Sequence, residues 1–145
     1  MNNIMKLEFL SISQNEKFAR TAVSAFISQL NPTLDEIEDV KASVSEAVTN
    51  AVVHAYKGET GPIYINCTLI NNEATIIISD SGCGIKDISL ARTPLYSGEE
   101  NSERSGLGFT VMETFMDSVD VKSEPGKGTT VILSKKIGAK TLPEE

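Results

Sequence analysis

Three polar side chains fall four residues apart in the stretch Ser45-Glu46-Ala47-Val48-Thr49-Asn50-Ala51-Val52-Val53-His54-Ala55-Tyr56: Glu46, Asn50 and His54. On a helix, positions i, i+4 and i+8 share one stripe. Their types suit phosphoryl chemistry. Asn50 offers a neutral amide oxygen, a hard ligand of the kind Mg²⁺ takes beside waters and phosphate oxygens. Glu46, one turn earlier, can accept a proton from a hydroxyl nucleophile. His54 is the only histidine of the chain; it fits a partner behind those groups or an ordinary surface histidine. The stripe by itself fits a solvated helix edge better, since polar heads sealed in a core would be costly.

Two glycine-bearing motifs and a hairpin add to it. Asp80-Ser-Gly82-Cys-Gly84 follows an apolar run. A carboxylate at a strand end can accept a hydrogen bond from an exocyclic amine, and glycines beside it let backbone approach a flat ring. Adenine carries that amine, whereas guanine places a carbonyl there. An ordinary turn explains the same residues. Arg104-Ser-Gly106-Leu-Gly108 opens a helical pattern. Bare N–H groups at a helix start favour an anion, and Arg104 adds a bidentate phosphate contact; simple helix entry accounts for it too. Gly126-Lys-Gly128-Thr129-Thr130 has hairpin spacing, with a threonine hydroxyl on the last strand near the Asp80 site. Cys83 occupies a free position between the two glycines and is expected to be buried packing.

The elements that must carry these residues are readable from periodicity. A first strand is expected over Ile4–Leu10. Ser13-Gln-Asn-Glu16 has the capping-box pattern and opens a helix with apolar Phe18, Ala22, Phe26 and Leu30. Thr33-Leu-Asp-Glu36 is a second capping box, starting a long helix to about Tyr56 with Ile37, Val40, Val44, Ala47, Val48, Ala51, Val52 and Ala55 on its apolar face. Alternation predicts strands over Ile63–Leu69 and Ala74–Ser79. Residues 87–92 suit one or two helical turns, and residues 93–105 are polar and poorly patterned and read as a mobile loop. A helix over Leu107–Met116 and strands over Val119–Ser123 and Thr129–Lys135 complete the chain. The order β-α-α-β-β-α-β-β predicts an α/β two-layer sandwich, a mixed β-sheet with helices packed on one face.

Bulk properties narrow the function. The 145 residues suit one domain, expected over 1–138, with 139–145 as a flexible tail. A formal charge of −7 gives no basic footprint, so direct nucleic-acid binding is not expected. No run of 18 apolar residues spans a membrane, and no secretory signal precedes the first strand. Two cysteines without framework spacing suit a reducing, cytoplasmic setting.

Taken together, the glutamate–asparagine helix, strand-end DxGxG, loop followed by GxG, and GKGTT hairpin resemble the GHKL superfamily of ATPases and kinases, with its Bergerat ATP-binding fold. The resemblance spans Glu46 to Thr130. Histidine kinases of that superfamily usually lack the glutamate and need an acceptor histidine, whereas topoisomerase and mismatch-repair ATPases need further domains. LEFLSISQNEKFAR, SEAVTNAVVHAY and PLYSGEENSERSGLGFTVMETFMD are similar to the compact serine-kinase branch, the anti-sigma factors of the sigma-F type found in endospore-forming bacteria.

That resemblance implies a cytoplasmic homodimer that binds and inhibits a sigma-F type sigma factor. It also implies phosphorylation of a serine on an anti-anti-sigma factor, with ATP and Mg²⁺ as cofactors. It assigns Mg²⁺ to Asn50 and the serine proton to Glu46. Asp80 would read the adenine amine, Gly82 and Gly84 would shape the pocket, and Thr130 would stand beside it. Arg104, Gly106 and Gly108 would meet phosphates as the loop closes. Arg20, exposed by the helical pattern, fits a partner contact or a solvated charge. Three alternatives stay open: a stress-response anti-sigma kinase for another sigma factor, a GHKL kinase or ATPase with no sigma partner, and a non-enzymatic nucleotide-gated binding module.

Overall fold

The computed structural model describes residues 2–85, 88, 92 and 107–138. The expected tail, 139–145, and the loop at 93–105 lie outside the described residues, as do Arg104 and Gly106.

The chain starts with strand β1 (Asn2–Leu10), then helix α1 (Gln14–Ile27) and a short 3₁₀ turn over 28–30. Helix α2 (Leu34–Asn50) runs without a break into a π-helical turn, Ala51–Ala55. Strands β2 (Pro62–Ile70) and β3 (Glu73–Asp80), helix α3 (Leu107–Phe115), and strands β4 (Ser118–Glu124) and β5 (Gly128–Lys136) follow. The five predicted strands and the helices predicted after Ser13, after Thr33 and from Leu107 are present, the strands a residue or two longer than periodicity suggests; of the helical turns expected over 87–92, only residues 88 and 92 are among the described residues.

The five strands lie in the order β1-β2-β3-β5-β4, and every neighbouring pair is antiparallel. The expected mixed sheet is therefore an antiparallel one. Helix α3 does carry the chain from β3 back to a strand of the same direction, β4. The β4–β5 hairpin then inserts β5 between those two, so no parallel neighbours meet. β1 and β2, joined through two helices rather than one, run antiparallel as well.

One sheet face packs on the helices. Ile63, Ile65, Cys67 and Leu69 on β2, Ala74, Ile76 and Ile78 on β3, and Val131 and Leu133 on β5 are buried against Val40, Val44 and Val48 of α2 and Met112 of α3. Burying each Val, Leu, Ile or Met side chain among them contributes about 1.5–3 kcal/mol, so this layer is the main source of stability. Cys67 lies deep in it, and burial pushes its thiol up to about 12.

Local signals explain the helix ends unevenly. Thr33 Oγ1 accepts the Glu36 N–H at 3.1 Å while Glu36 Oε1 accepts the Thr33 N–H at 2.9 Å, the reciprocal cap that starts α2. The same Glu36 carboxylate accepts the Gly138 N–H at 3.1 Å, tying the end of the sheet to α2. The box expected at Ser13 does not form: Ser13 is in helical geometry, its side chain makes no capping bond, and its carbonyl accepts the Glu16 N–H instead. The buried stripe of α1 is Ala19, Val23, Ile27 and then Leu30, one residue on from the expected Phe18, Ala22 and Phe26. Phe18 is exposed and meets Phe9 edge to face, with ring centroids 6.1 Å apart. Arg20 on this helix pairs with Glu16 at 2.9 Å.

Candidate functional site

The polar stripe of α2 is half-buried at Glu46 and Asn50, and the helix changes winding immediately after Asn50. A helix end leaves its last carbonyls without partners. Here the loop after β3 supplies them. The Cys83 N–H donates to the Ala55 carbonyl at 2.8 Å, and the Cys83 thiol donates to the His54 carbonyl at 3.3 Å. The Asp80–Gly84 loop is thus the cap of the helix that carries Glu46 and Asn50.

That contact explains the first glycine. A Cβ on Gly82 would stand 2.1 Å from the Ala55 carbonyl oxygen, so any side chain there would push the loop off the helix. Gly84 has φ +78° and a Cβ position 2.4 Å from the Glu124 carbonyl oxygen; the β4–β5 hairpin holds the loop from its other side. The Gly126 N–H donates to the Cys83 carbonyl at 2.7 Å, and the Ile85 N–H donates to Ser123 Oγ at 2.7 Å. The loop is wedged between helix end and hairpin. Cys83, expected in the core, is exposed: in so tight a turn its backbone is engaged while most of its side chain faces out.

Asp80 ends β3 on the helix side of the sheet, in phase with buried Ile76 and Ile78. Its Oδ1 accepts the Gly82 N–H at 2.9 Å, which closes a turn over Ser81. Burial raises its carboxyl above the ordinary value, and hydrogen bonds from the Gly82 and Thr129 N–H groups work against that rise. A carboxylate has about four lone-pair positions. Two backbone donors leave room for a further donor from a ligand.

Thr130 pairs with Ser79, and alternation puts it on the face away from the helices. Its neighbour Thr129 is the residue that reaches Asp80 through its N–H, with its hydroxyl 2.9 Å from Ser123 Oγ. Sequence reasoning missed Thr129 because the two adjacent threonines look alike until the β3–β5 register is known. Tyr56 was missed as well: its hydroxyl donates to the Pro62 carbonyl at 2.6 Å and accepts the Ser81 N–H at 2.8 Å. An aromatic ending an apolar helix face carries no local signal of that bridge.

Gly108 lies in the first turn of α3 and is half-buried. The other end of α3 is anchored by Lys135, whose buried amine donates to the Phe115 carbonyl at 2.7 Å and stands 3.7 Å from Asp39. Arg92 pairs with Glu113 of α3 and donates to the Val119 carbonyl, and its N–H donates to the Ile88 carbonyl at 3.0 Å.

The donor set fits a magnesium nucleotide. The Asn50 side-chain amide makes no hydrogen bond to any described residue, and no three His, Cys, Asp or Glu side chains among the described residues converge on one point. A cation here would rest on Asn50, phosphate oxygens and water, as Mg²⁺ usually does. Asp80 keeps acceptor capacity for a base amine one helix end away.

The histidine kinase-like ATPase domain family matches residues 12–135. Among curated proteins, the anti-sigma F factor of Clostridium novyi is 56% identical over 136 residues, covering 93% of this chain and 95% of that protein. The anti-sigma F factor of Clostridium kluyveri is 54% identical over 134 residues, covering 92% and 94%. Among solved structures, the RsbU and RsbW domains of a Mycobacterium tuberculosis protein superpose with a TM-score of 0.67 at 16% identity, covering 93% of this chain and 32% of theirs. That last likeness is one of fold. No helix among the described residues is long and apolar enough to cross a membrane.

Proposed function

The chain belongs to the histidine kinase-like ATPase family, with the anti-sigma F factors, and from that membership we propose that it inhibits a sigma factor of the sigma-F type and phosphorylates a serine of an anti-anti-sigma factor with Mg-ATP. The observation that carries the proposal is the fusion of the two polar sites. The loop bearing Asp80 caps the helix bearing Glu46 and Asn50 through the 2.8 Å Cys83–Ala55 bond. A base held by one is therefore at a fixed distance from a cation held by the other.

Bound Mg-ATP supplies the transferable phosphoryl group. Phosphoryl transfer depends mainly on positioning and on charge neutralisation. Asp80 accepts a hydrogen bond from the adenine amine, beside Thr129. Asn50 gives its amide oxygen to the cation. Glu46, one turn earlier, takes the proton of the incoming serine hydroxyl. Gly108, at the start of α3, leaves N–H groups bare for phosphate oxygens, with Arg104 and Gly106 assigned to the same role.

Two features support the proposed partners. The charge of −7 suits the basic DNA-binding surface of a sigma factor, where it would raise the rate of encounter. On the sheet face away from the helices, Ile4, Leu10, Tyr64 and Ile70 are exposed; a second copy covering that face would bury them, in keeping with a homodimer.

The test mixes purified protein, Mg-ATP, an anti-anti-sigma factor and a sigma factor. Phosphoserine on the former and a sigma complex on gel filtration are expected. Absence of both, with nucleotide bound, would refute the proposal.

A further inference from the structure

We propose that Tyr56 is a positioning residue for the nucleotide base: its hydroxyl locks the Asp80–Gly82 turn to the end of the catalytic helix and to β2, and so sets where the Asp80 carboxylate stands. The inference rests on the reading that Asp80 binds adenine.

Tyr56 follows the π turn with φ −118° and ψ 10°, so its side chain leaves the helix direction. Its two hydrogen bonds have distinct roles. The hydroxyl proton goes to the Pro62 carbonyl at 2.6 Å. That acceptor is itself fixed, because Gly61 just before it is bound twice to buried Ser11: the Ser11 N–H donates to the Gly61 carbonyl at 2.9 Å and the Gly61 N–H to Ser11 Oγ at 3.0 Å. With the proton committed, an oxygen lone pair is left for the Ser81 N–H at 2.8 Å.

Ser81 needs that acceptor. The β2–β3 ladder ends at the Ile63–Asp80 pair, so the next N–H has no strand partner. Three successive amides are then placed one by one: Ser81 on the Tyr56 hydroxyl, Gly82 on Asp80 Oδ1, Cys83 on the Ala55 carbonyl. Two of those three acceptors belong to the last residue of the helix segment, Ala55, and to Tyr56 immediately after it. The Gly82–Asp80 bond fixes the carboxylate relative to the turn; the Tyr56 bond fixes the turn relative to the protein. Burial raises the Tyr56 hydroxyl above its ordinary value against the opposing effect of the Ser81 N–H, with the nearby Asp80 charge adding to the rise; like any tyrosine it keeps its proton at neutral pH.

The consequence is specific. Without the hydroxyl, the ring still fills its place, but the turn is free to rock, and base recognition suffers while Glu46 and Asn50, before the π turn, are undisturbed. Tyr56→Phe in the full chain should weaken ATP binding about three- to tenfold in calorimetry, as loss of one neutral hydrogen bond implies. It should narrow the preference for ATP over GTP and leave the saturated phosphorylation rate within about twofold. Amide exchange at Ser81 should be slowed in the native protein and fast in the variant. A folded Tyr56→Phe protein with native ATP affinity and native ATP/GTP preference overturns the proposal, even if its melting temperature falls. Should the variant not fold, an unprotected Ser81 amide in the native protein overturns it by itself. Asp80→Asn separates the two levels: if that change weakens ATP binding while Tyr56→Phe does not, the positioning role fails alone; if neither weakens it, the adenine role of Asp80 has failed.

Discussion

Asp80→Asn is the sharpest perturbation of the nucleotide site, because it changes one atom in a known environment. Asp80 Oδ1 is engaged by the Gly82 N–H at 2.9 Å, and the Thr129 N–H faces the carboxylate closely enough to favour its charged form. An asparagine retains one oxygen, which the Gly82 N–H can keep. The new NH₂ must then face either the Thr129 N–H or the adenine amine, donor against donor. The base loses a hydrogen bond to a charged acceptor, worth about 1.5–3 kcal/mol, or about 10- to 150-fold in affinity. The fold should lose much less. Burial already disfavours the charged carboxylate, so a neutral side chain relieves part of the desolvation cost. Calorimetry with a non-hydrolysable ATP analogue, beside GTP and beside a thermal melt, measures all three quantities. The expected result is a large loss for ATP, little change for GTP and a melting temperature near the native value. Unchanged ATP affinity in a folded variant would refute the adenine role.

Further expectations follow from the same geometry. Asn50→Ala should abolish Mg-dependent phosphoryl transfer while circular dichroism stays native; retained activity would remove Asn50 as the cation ligand. Glu46→Gln should spare nucleotide binding and slow serine phosphorylation by about 10²-fold or more, the usual loss when a general base is removed; an equal rate would move that role elsewhere. Gly82→Ala must displace the Ala55 carbonyl, costing about 1–3 kcal/mol in a denaturant titration and weakening ATP binding with it. The carboxyl of Asp80 is raised above 3.8, so ATP affinity should start to fall at a higher pH than an ordinary aspartate would dictate, and Asp80→Asn should flatten that limb. The stability effect has the opposite sign: a raised carboxyl favours the fold below the unfolded value of 3.8, and that gain is lost as pH rises through the folded value.

Legibility in the sequence follows the range of the interaction. The Thr33–Glu36 cap involves residues three apart and can be read directly, as can strand alternation in β2 and β3. Ser13 shows the same letters, but the chain arrives there in helical geometry and its hydroxyl is not used. Which stripe of α1 faces the core depends on where the sheet lies; Phe18 satisfies itself against Phe9, and Ala19 and Val23 take the inside. Strand order is more remote still, since the return of β5 between β3 and β4 leaves no local trace. At the site, residue types identified Asp80 and Asn50 as acceptors. They could not reveal that Cys83 caps the Asn50 helix, that Thr129 rather than Thr130 lies beside Asp80, or that Tyr56 bridges β2 and the loop, because each depends on the tertiary register between segments far apart in the chain.

A crystal structure with Mn-ADP, Mn²⁺ standing in for Mg²⁺, measures the geometry most directly. The expected result is an anomalous peak at the Asn50 amide oxygen together with an adenine amine within hydrogen-bond distance of the Asp80 carboxylate. Nucleotide bound elsewhere on the protein, or a metal peak remote from Asn50 while the base sits on Asp80, would contradict a single pocket shared by the end of α2 and the loop that caps it.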